Sequence, residues 1–266
     1  MPDKKMQNHD SKPELTWFHS IGKILSLLLI VMGCCGVIIG AWKWCHFIQL
    51  FKIAQVEIEG ISIVTTETVR ELSGINDLST LFSVDLRSAQ ERLEQSPYIK
   101  AAIVSRRFPG TLVILIRERV PVCFLNQRDL FLVDQEGYLM PVPDTRLNGN
   151  LPLINGFQSD TVRHCAGSLI ANPQLLELVH LIARTGEESP LLYNSISEVL
   201  RTEDGQCVIY STRGGTPVFL GSGNIAEKFR ILAHFQHLLR YRRDLSDYQY
   251  VDLRWNKQVI VKERRL

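Results

Sequence analysis

The sequence predicts an α+β protein that is anchored to a membrane by one N-terminal transmembrane helix. Three observations lead to this prediction. An uncharged apolar run, residues 24–42, lies between Lys23 and Lys43. The next 65 or so residues read as strand, helix, helix, strand and strand, which predicts a small sheet covered by two helices on one side. The remaining chain has short runs of alternating apolar and polar residues, which predicts a β-rich domain of antiparallel strands with two helices.

The apolar run is long enough to cross a bilayer. As a helix, its residues would span about 28 Å at ~1.5 Å per residue, close to the ~30 Å of the hydrocarbon core. A cleaved signal peptide has a shorter apolar core, whereas this run continues through Trp42, Trp44 and Phe47, so we expect an uncleaved anchor. The lysines near the run are Lys4, Lys5, Lys12 and Lys23 before it, and Lys43 and Lys52 after it. This bias predicts a cytoplasmic N-terminus and an exported C-terminal part.

We therefore divide the chain into four parts. They are a cytoplasmic tail at 1–22, the transmembrane helix and its junction at 23–50, the small domain at 51–120 and the β-rich domain at 121–266. A net charge of +2 gives no reason to expect nucleic acid as a partner. The exported cysteines, Cys123, Cys165 and Cys207, are too widely spaced for a typical zinc set, and at most one disulfide could join a pair of them.

Turn and cap residues define the elements of the small domain. We expect a strand at 55–59, a helix that begins after Thr65 and ends before Gly74, and a second helix from about Asp85. A hairpin follows, and its predicted parts are the strands 101–108 and 111–119 and the turn at Pro109-Gly110. Such a unit has no obvious cavity for chemistry.

The β-rich part is read in the same way. Its predicted strands are 130–133, 138–140, 196–202, 206–211, 216–220, 250–255 and 258–262. Residues 151–156 are expected to be a connector. Asn172 caps and Pro173 opens a predicted helix to about residue 184, and a second helix begins at Asn224.

Several segments resemble known sequences in order and position. They are Phe82-Ser83-Val84-Asp85-Leu86, Glu91-Arg92-Leu93-Glu94, Pro97-Tyr98-Ile99-Lys100, residues 106–112 and Glu118-Arg119-Val120-Pro121. Together they resemble the POTRA domain of the FtsQ/DivIB cell-division proteins, which follows a single membrane helix. The string Tyr250-Val251-Asp252-Leu253-Arg254 resembles the end of the β domain of the same family. The resemblance extends over residues 24–262.

The resemblance implies a scaffold rather than an enzyme. Such a protein sits in the inner membrane at the division septum, with its C-terminal domains in the periplasm. It would bind FtsB and FtsL, link early and late divisome proteins, and regulate septal peptidoglycan synthesis by an FtsW/FtsI-like complex. The expected mechanism is addition of a partner strand to an exposed sheet edge.

Two sets of residues are candidates for partner contacts. The resemblance indicates a C-terminal set, of which Arg254 and Trp255 are presumed to lie on an exposed edge. This set comprises Tyr250, Val251, Asp252, Leu253, Arg254, Trp255, Asn256 and Lys257. The second set is the outward face of the second small-domain helix and comprises Arg87, Glu91, Arg92 and Glu94. Trp255 and Arg254 are of the residue types that often dominate interface energies. The alternative is that Trp255 packs under the last strand and Arg254 pairs with a surface carboxylate.

Other sites are not expected. Residues 221–226 fit the pattern GxGxxA of a dinucleotide-binding turn, but too little chain follows for a doubly wound sheet, so we expect no nucleotide. His234 and His237 lie one turn apart without a third ligand nearby in sequence, so we expect no metal and no cofactor. The chain also has neither of the motifs GxSxG and HExxH, and we therefore predict no catalytic residues.

Two other functions remain open. One is a POTRA-bearing outer-membrane assembly or translocation factor, although such proteins continue into a long lipid-facing barrel. The other is a membrane-tethered cell-wall enzyme whose catalytic groups come together only in the fold.

Overall fold

The computed structural model describes residues 15–47, 52–75, 80–143, 150–157, 165–239, 243–255 and 258–264. Helix α1 (Leu15–Phe47) contains the predicted apolar run. Its segment Lys23–Trp44 has 22 residues and contains an 18-residue window with a mean hydropathy of 2.7, and none of that window is buried within the protein. By length and composition it can cross a membrane. Most of the expected cytoplasmic tail lies outside the described residues.

The small domain has the predicted element order. It consists of β1 (Gln55–Glu59), α2 (Thr66–Ser73), α3 (Leu86–Glu94), β2 (Ile99–Arg107) and β3 (Thr111–Glu118). The strands are ordered β1-β3-β2, with β1 parallel to β3 and β2 antiparallel to it. Because β2 lies on the far side of β3 from β1, the two helices carry the chain across the sheet, and β2 then returns it to the end at which β3 begins parallel to β1.

Local sequence sets the ends of these helices as expected. The Thr65 side chain accepts a hydrogen bond from the amide of Thr68, and the Asp85 carboxylate accepts bonds from the amides of Arg87 and Ser88. Gly74 ends α2 at φ 63°, in the left-handed region that glycine adopts at low cost. Apolar residues of α3 and of all three strands then form one core with members such as Leu93, Ile99, Leu112 and Ile114.

The β-rich part is a single sheet of nine described strands. They are β4 (Pro121–Asn126), β5 (Leu130–Asp134), β6 (Leu139–Pro141), β7 (Leu153–Asn155), β8 (Ile196–Arg201), β9 (Cys207–Ser211), β10 (Pro217–Gly221), β11 (Tyr248–Asp252) and β12 (Ile260–Glu263). Their spatial order is β12-β11-β10-β9-β8-β7-β4-β5-β6. The sheet is mixed rather than wholly antiparallel, because β7 pairs in parallel with both β4 and β8, and β11 pairs in parallel with β10.

One sequence interpretation in this part is wrong. Residues 151–156 are not just a connector, because Leu153–Asn155 forms β7 near the middle of the sheet. A strand of three residues is too short to show an alternating pattern, so it is recognisable only from its two neighbours. The next residue, Gly156, has φ 92°, and a Cβ there would lie 1.9 Å from the carbonyl oxygen of Arg201.

Helices cover one face of this sheet. They are α4 (Pro173–Glu188), α5 (Pro190–Ser195) and α6 (Ile225–Leu239), and a single 3-10 turn (Leu245–Asp247) precedes β11. Sequence analysis predicted α4 and α6 but not the six-residue α5. Side chains from α4 and α6, such as Leu175, Ile182, Phe229 and Leu232, are almost fully buried against the strands. In α6, Gln236 is buried and Phe235 is partly buried.

Arg119 connects the two sheets. Its amide donates to the carbonyl oxygen of Tyr98, and its guanidinium donates to the Asp134 carboxylate at 2.8 Å. The guanidinium also lies 3.6 Å from the centre of the Tyr138 ring. A second ion pair, Lys100 with Glu136, lies beside it. Both Arg119 and Asp134 are largely buried, so this contact fixes how the small domain meets the β-rich domain.

We predict that Arg119→Ala lowers the free energy of unfolding by about 2 kcal/mol, because a largely buried charge pair loses one partner. Asp134 keeps hydrogen bonds from the amides of Glu136 and Tyr138, which limits the loss. Arg117→Ala, two residues earlier on an exposed position of β3, is the matched control and should cost less than about 0.5 kcal/mol. Chemical denaturation of the purified full chain in detergent measures both, and equal effects would contradict the assignment.

Candidate functional site

The C-terminal candidate residues lie at one end of the nine-stranded sheet, but not on its edge. Strand β11 is flanked by β10 and β12, and β12 is the outermost strand. The string Tyr250–Leu253 is therefore not itself part of an edge strand. Periodicity shows which face of a strand is buried, but it gives no information on the order of strands in a sheet.

The structure separates the candidate residues into buried and exposed groups. Val251, Asp252 and Leu253 are each no more than 5% exposed, whereas Trp255 is 62% exposed. Tyr250 is half-buried, with its ring 6.2 Å from that of Phe219. Arg254 is exposed beside Trp255. Asn256 and Lys257 lie outside the described residues.

Alternation along β11 explains part of this division. Val251 and Leu253 enter the core beneath α6, as their spacing predicts. Simple alternation would leave Asp252 exposed on the opposite face, but it is buried because Arg254 covers it. The Arg254 guanidinium donates to the Asp252 carboxylate at 2.7 and 3.0 Å, and the Arg254 amide donates to it at 2.9 Å. The alternative expected for Arg254, a pair with a carboxylate, is thus present in the structure.

This ion pair shifts the pKa values of Asp252 and Arg254. Hydrogen bonds from the Arg254 guanidinium hold the pKa of Asp252 below its ordinary value, although burial opposes the shift. The same guanidinium lies 5.3 Å from the centre of the Phe219 ring on β10. Asp252 therefore stays ionised and keeps the chain that leaves β11 in one conformation, with Trp255 pointing to solvent.

Strand β12 carries exposed residues that the sequence candidates did not include. Ile260 and Val261 are 40% and 37% exposed, and no strand among the described residues pairs with the outer side of β12. Its far end is held in place, because Glu263 pairs with Arg243 and the Arg264 amide donates to the carbonyl oxygen of Asp247 at 2.8 Å. The sequence indicates that one more strand follows β11 after the crossover through α6. Only the order of strands in the sheet shows that this strand, β12, is the outermost.

A cleft of about 590 Å³ lies beside the chain that leaves β11. Its wall includes the turn at 221–224, Lys228 on α6, and Arg254 and Trp255. The turn belongs to one β10-α6-β11 crossover rather than to a doubly wound sheet. The Lys228 ammonium donates to the carbonyl oxygen of Leu220, and Arg254 is engaged by Asp252, so the two cations of the cleft already have partners within the chain.

The second candidate set, on α3, is also divided. Arg87 and Glu91 are exposed and pair with each other at 2.9 Å. In contrast, Arg92 donates to the carbonyl oxygen of Ser73 at the end of α2, and Glu94 accepts a bond from the amide of Ala102 on β2. Arg92 and Glu94 therefore have structural roles, and Arg87 and Glu91 are the members that a partner can contact without disturbing the domain.

Chemistry-bearing side chains do not converge in the part of the chain that the structure describes. No group of three or more His, Cys, Asp or Glu residues suited to a metal is present among those residues. Cys123, Cys165 and Cys207 are free thiols, and burial raises the pKa of Cys207 to about 12. A buried thiol of this kind is a poor nucleophile at neutral pH.

Comparison with known proteins identifies the family. A model described as POTRA domain, FtsQ-type, matches residues 51–119, and a model described as FtsQ/DivIB, C-terminal related, matches residues 120–262. The chain belongs to the FtsQ/DivIB family. The first match covers the small domain, which is thus a POTRA domain, and the second covers the nine-stranded sheet with its helices.

Relatives from several bacteria agree over most of the chain, and all are named cell division protein FtsQ. The Rhodothermus marinus protein is 30% identical over 256 residues, which cover 91% of this chain and 87% of the relative. The Geotalea daltonii protein is 27% identical and covers 89% of this chain, with 84% of its own length matched. The Geobacter sp. protein is 28% identical and covers 86% of this chain, with 84% of its own length matched. The chain is therefore a cell-division protein of the FtsQ/DivIB family, and its helix α1 fits a single-pass inner-membrane protein.

We predict that Asp252→Asn lowers the thermal unfolding midpoint at pH 7, because the neutral amide cannot replace the ionic bonds to Arg254. The folded pKa of Asp252 is depressed, so its contribution is full above the unfolded value of about 3.9 and is lost as the pH falls through the folded value. The difference between the variant and the original chain should therefore shrink below about pH 4. Scanning calorimetry across this range tests it, with Asp204→Asn in the exposed β8–β9 turn as control. A difference independent of pH would contradict the prediction.

Proposed function

We propose that this protein is a periplasmic docking scaffold of the divisome, which captures an FtsB-like partner, itself paired with an FtsL-like protein. The partner contributes a strand that adds to the outer side of β12. In this way the protein links early and late divisome proteins at the septum and regulates an FtsW/FtsI-like wall synthase complex. It carries out no catalysis of its own.

The open side of β12 is the observation that carries this proposal. An outermost strand presents backbone N–H and C=O groups that another strand can pair with, and proteins usually protect such an edge. Among the described residues nothing covers this one, and its Ile260 and Val261 side chains are apolar and exposed. Strand addition gives affinity through the backbone, while neighbouring side chains give specificity.

Trp255 and Arg254 are the neighbouring side chains suited to that second role. They lie where the chain turns between β11 and β12 and form part of the wall of the 590 Å³ cleft. We propose that the partner strand on β12 continues past Trp255, so that one of its side chains enters this cleft. Tyr250, Val251, Asp252 and Leu253 then support the site rather than contact the partner.

The proposed topology places the N-terminus in the cytoplasm and both domains in the periplasm. The support is the excess of lysines before α1 and the need for the β12 edge to meet periplasmic segments of its partners. Membership of the FtsQ/DivIB family favours this function over an outer-membrane assembly factor or a wall enzyme.

Trp255→Ala should weaken partner binding about 30-fold, which corresponds to ~2 kcal/mol for the loss of a central aromatic contact. Because the side chain is 62% exposed, its removal should leave the unfolding midpoint unchanged. Arg254→Glu is expected to abolish capture of the partner. It also places a second carboxylate against buried Asp252 and so has an additional effect on the fold. Binding of the FtsB-like protein to the purified chain measures both variants, and undiminished binding by folded Trp255→Ala would exclude this residue from the site.

The edge itself can be tested by photo-crosslinking in cells. A benzoylphenylalanine in place of Ile260 or Val261 should attach to the FtsB-like partner, because the added strand lies directly beside β12. The matched control is Leu130 on β5, which is 46% exposed and lies toward the other end of the same sheet. Mass spectrometry identifies the attached protein. Equal attachment from Leu130, or none from β12, would disprove strand addition at this edge.

For the α3 face we propose a role in recruitment to the septum. Exchange of the two charges, Arg87→Glu together with Glu91→Arg, keeps an ion pair at the same spacing and so preserves α3. It reverses the charge pattern that a partner meets. We expect reduced septal fluorescence of the tagged chain with normal protein levels, whereas normal septal localisation would exclude this face.

A further inference from the structure

Two exposed aromatic rings lie together on the surface of the POTRA domain. Phe82 and Phe108 are 58% and 60% exposed, and their ring centres are 5.9 Å apart. Phe82 comes from the loop before α3, and Phe108 comes from the turn between β2 and β3. We call these two residues the aromatic pair.

The loop that carries Phe82 is held rigidly. The Arg106 guanidinium donates to the carbonyl oxygens of Leu81 and Val84 at 2.6 and 2.7 Å. Leu81 is fully buried in the POTRA core, which leaves Phe82, the next residue, on the outside. The aromatic pair is therefore a preformed surface and needs no rearrangement to meet a ligand.

The aromatic pair lies at the end of the domain where the chain arrives from α1. Lys52 forms a β-bridge with Thr80, two residues before Phe82. The amide of Ala54 donates to the carbonyl oxygen of Gly110 at 2.8 Å, two residues after Phe108. Both rings are thus close to the first residues of the domain.

Chain length then restricts this surface to the neighbourhood of the bilayer. Helix α1 ends at Phe47, and the five peptide steps to Lys52 reach at most about 18 Å. Phenylalanine side chains on a surface that rests on a bilayer are buried at the boundary between headgroups and acyl chains, where the ring leaves water. Lys52 is exposed at the same end and suits an anionic headgroup.

We propose that the aromatic pair docks the POTRA domain onto the surface of the membrane that α1 spans. The occupant is the lipid headgroup region of that leaflet, and Phe82 and Phe108 insert their rings between headgroups. This inference depends on α1 as a membrane anchor and is independent of the partner site at β12.

Photo-crosslinking to lipid tests the proposal on the full chain in vesicles of phosphatidylethanolamine and phosphatidylglycerol. Benzoylphenylalanine in place of Phe82 or Phe108 exchanges one exposed aromatic ring for another, so the fold should be retained. The matched control is Ile103, which is 59% exposed on β2 but about 17 Å further along the strand. Mass spectrometry then counts the protein–lipid adducts.

We expect about tenfold more lipid adduct at Phe108 than at Ile103, since burial of roughly half a phenylalanine ring favours the interface by that factor. Insertion of a flexible Gly/Ser linker of about ten residues before Lys52 allows the POTRA domain to move further from the bilayer. The linker therefore distinguishes affinity of the aromatic pair for lipid from confinement of the domain by its short connection to α1. Adduct that persists with this linker supports docking by the aromatic pair. Equal adduct at both positions, or adduct that disappears with the longer linker, would overturn it.

Discussion

The parallel pairing of β11 with β10 is the constraint on which the proposed site depends. A parallel neighbour requires a crossover, which α6 supplies across the face of the sheet. Buried Thr216, just before β10, fixes the far end of this unit, because its hydroxyl lies 2.9 Å from the carbonyl oxygen of Leu245 and 3.1 Å from that of Tyr248. Once β11 is placed in this way, the chain can only turn back beyond it, so β12 becomes the outermost strand.

The sequence string that carries the resemblance is therefore largely a structural string. Val251 and Leu253 attach β11 to the core, and Asp252 orders the exit by binding Arg254. Under the proposed function, contact with a partner falls to residues with less distinctive sequence patterns, above all Trp255, Ile260 and Val261. The residues that support the proposed site and those that contact the partner thus lie at different positions along the chain. A substitution in Tyr250–Arg254 is therefore expected to affect binding mainly by lowering the stability of the fold.

The sequence predicted what depends on neighbouring residues. The caps at Thr65, Asp85 and Asn172 and the end of α2 at Gly74 are local properties, and the structure has them as expected. The sheet order, the strand β7 and the burial of Asp252 depend on pairings between distant segments. The edge at β12 belongs to this second class, which explains why the candidate list extended to Lys257 but did not reach Ile260.

The two proposed contact surfaces are connected by the Arg119 junction. An exposed sheet edge that could rotate freely above a membrane would lose orientational freedom on binding, and this loss opposes association. The aromatic pair would fix the POTRA domain against the lipid, and the contact of Arg119 with Asp134 and Tyr138 carries that orientation into the nine-stranded sheet. The β12 edge is then held at a defined height and angle before a partner arrives. A membrane-anchored partner is restricted in the same way, so both chains approach with much of the entropic cost already removed.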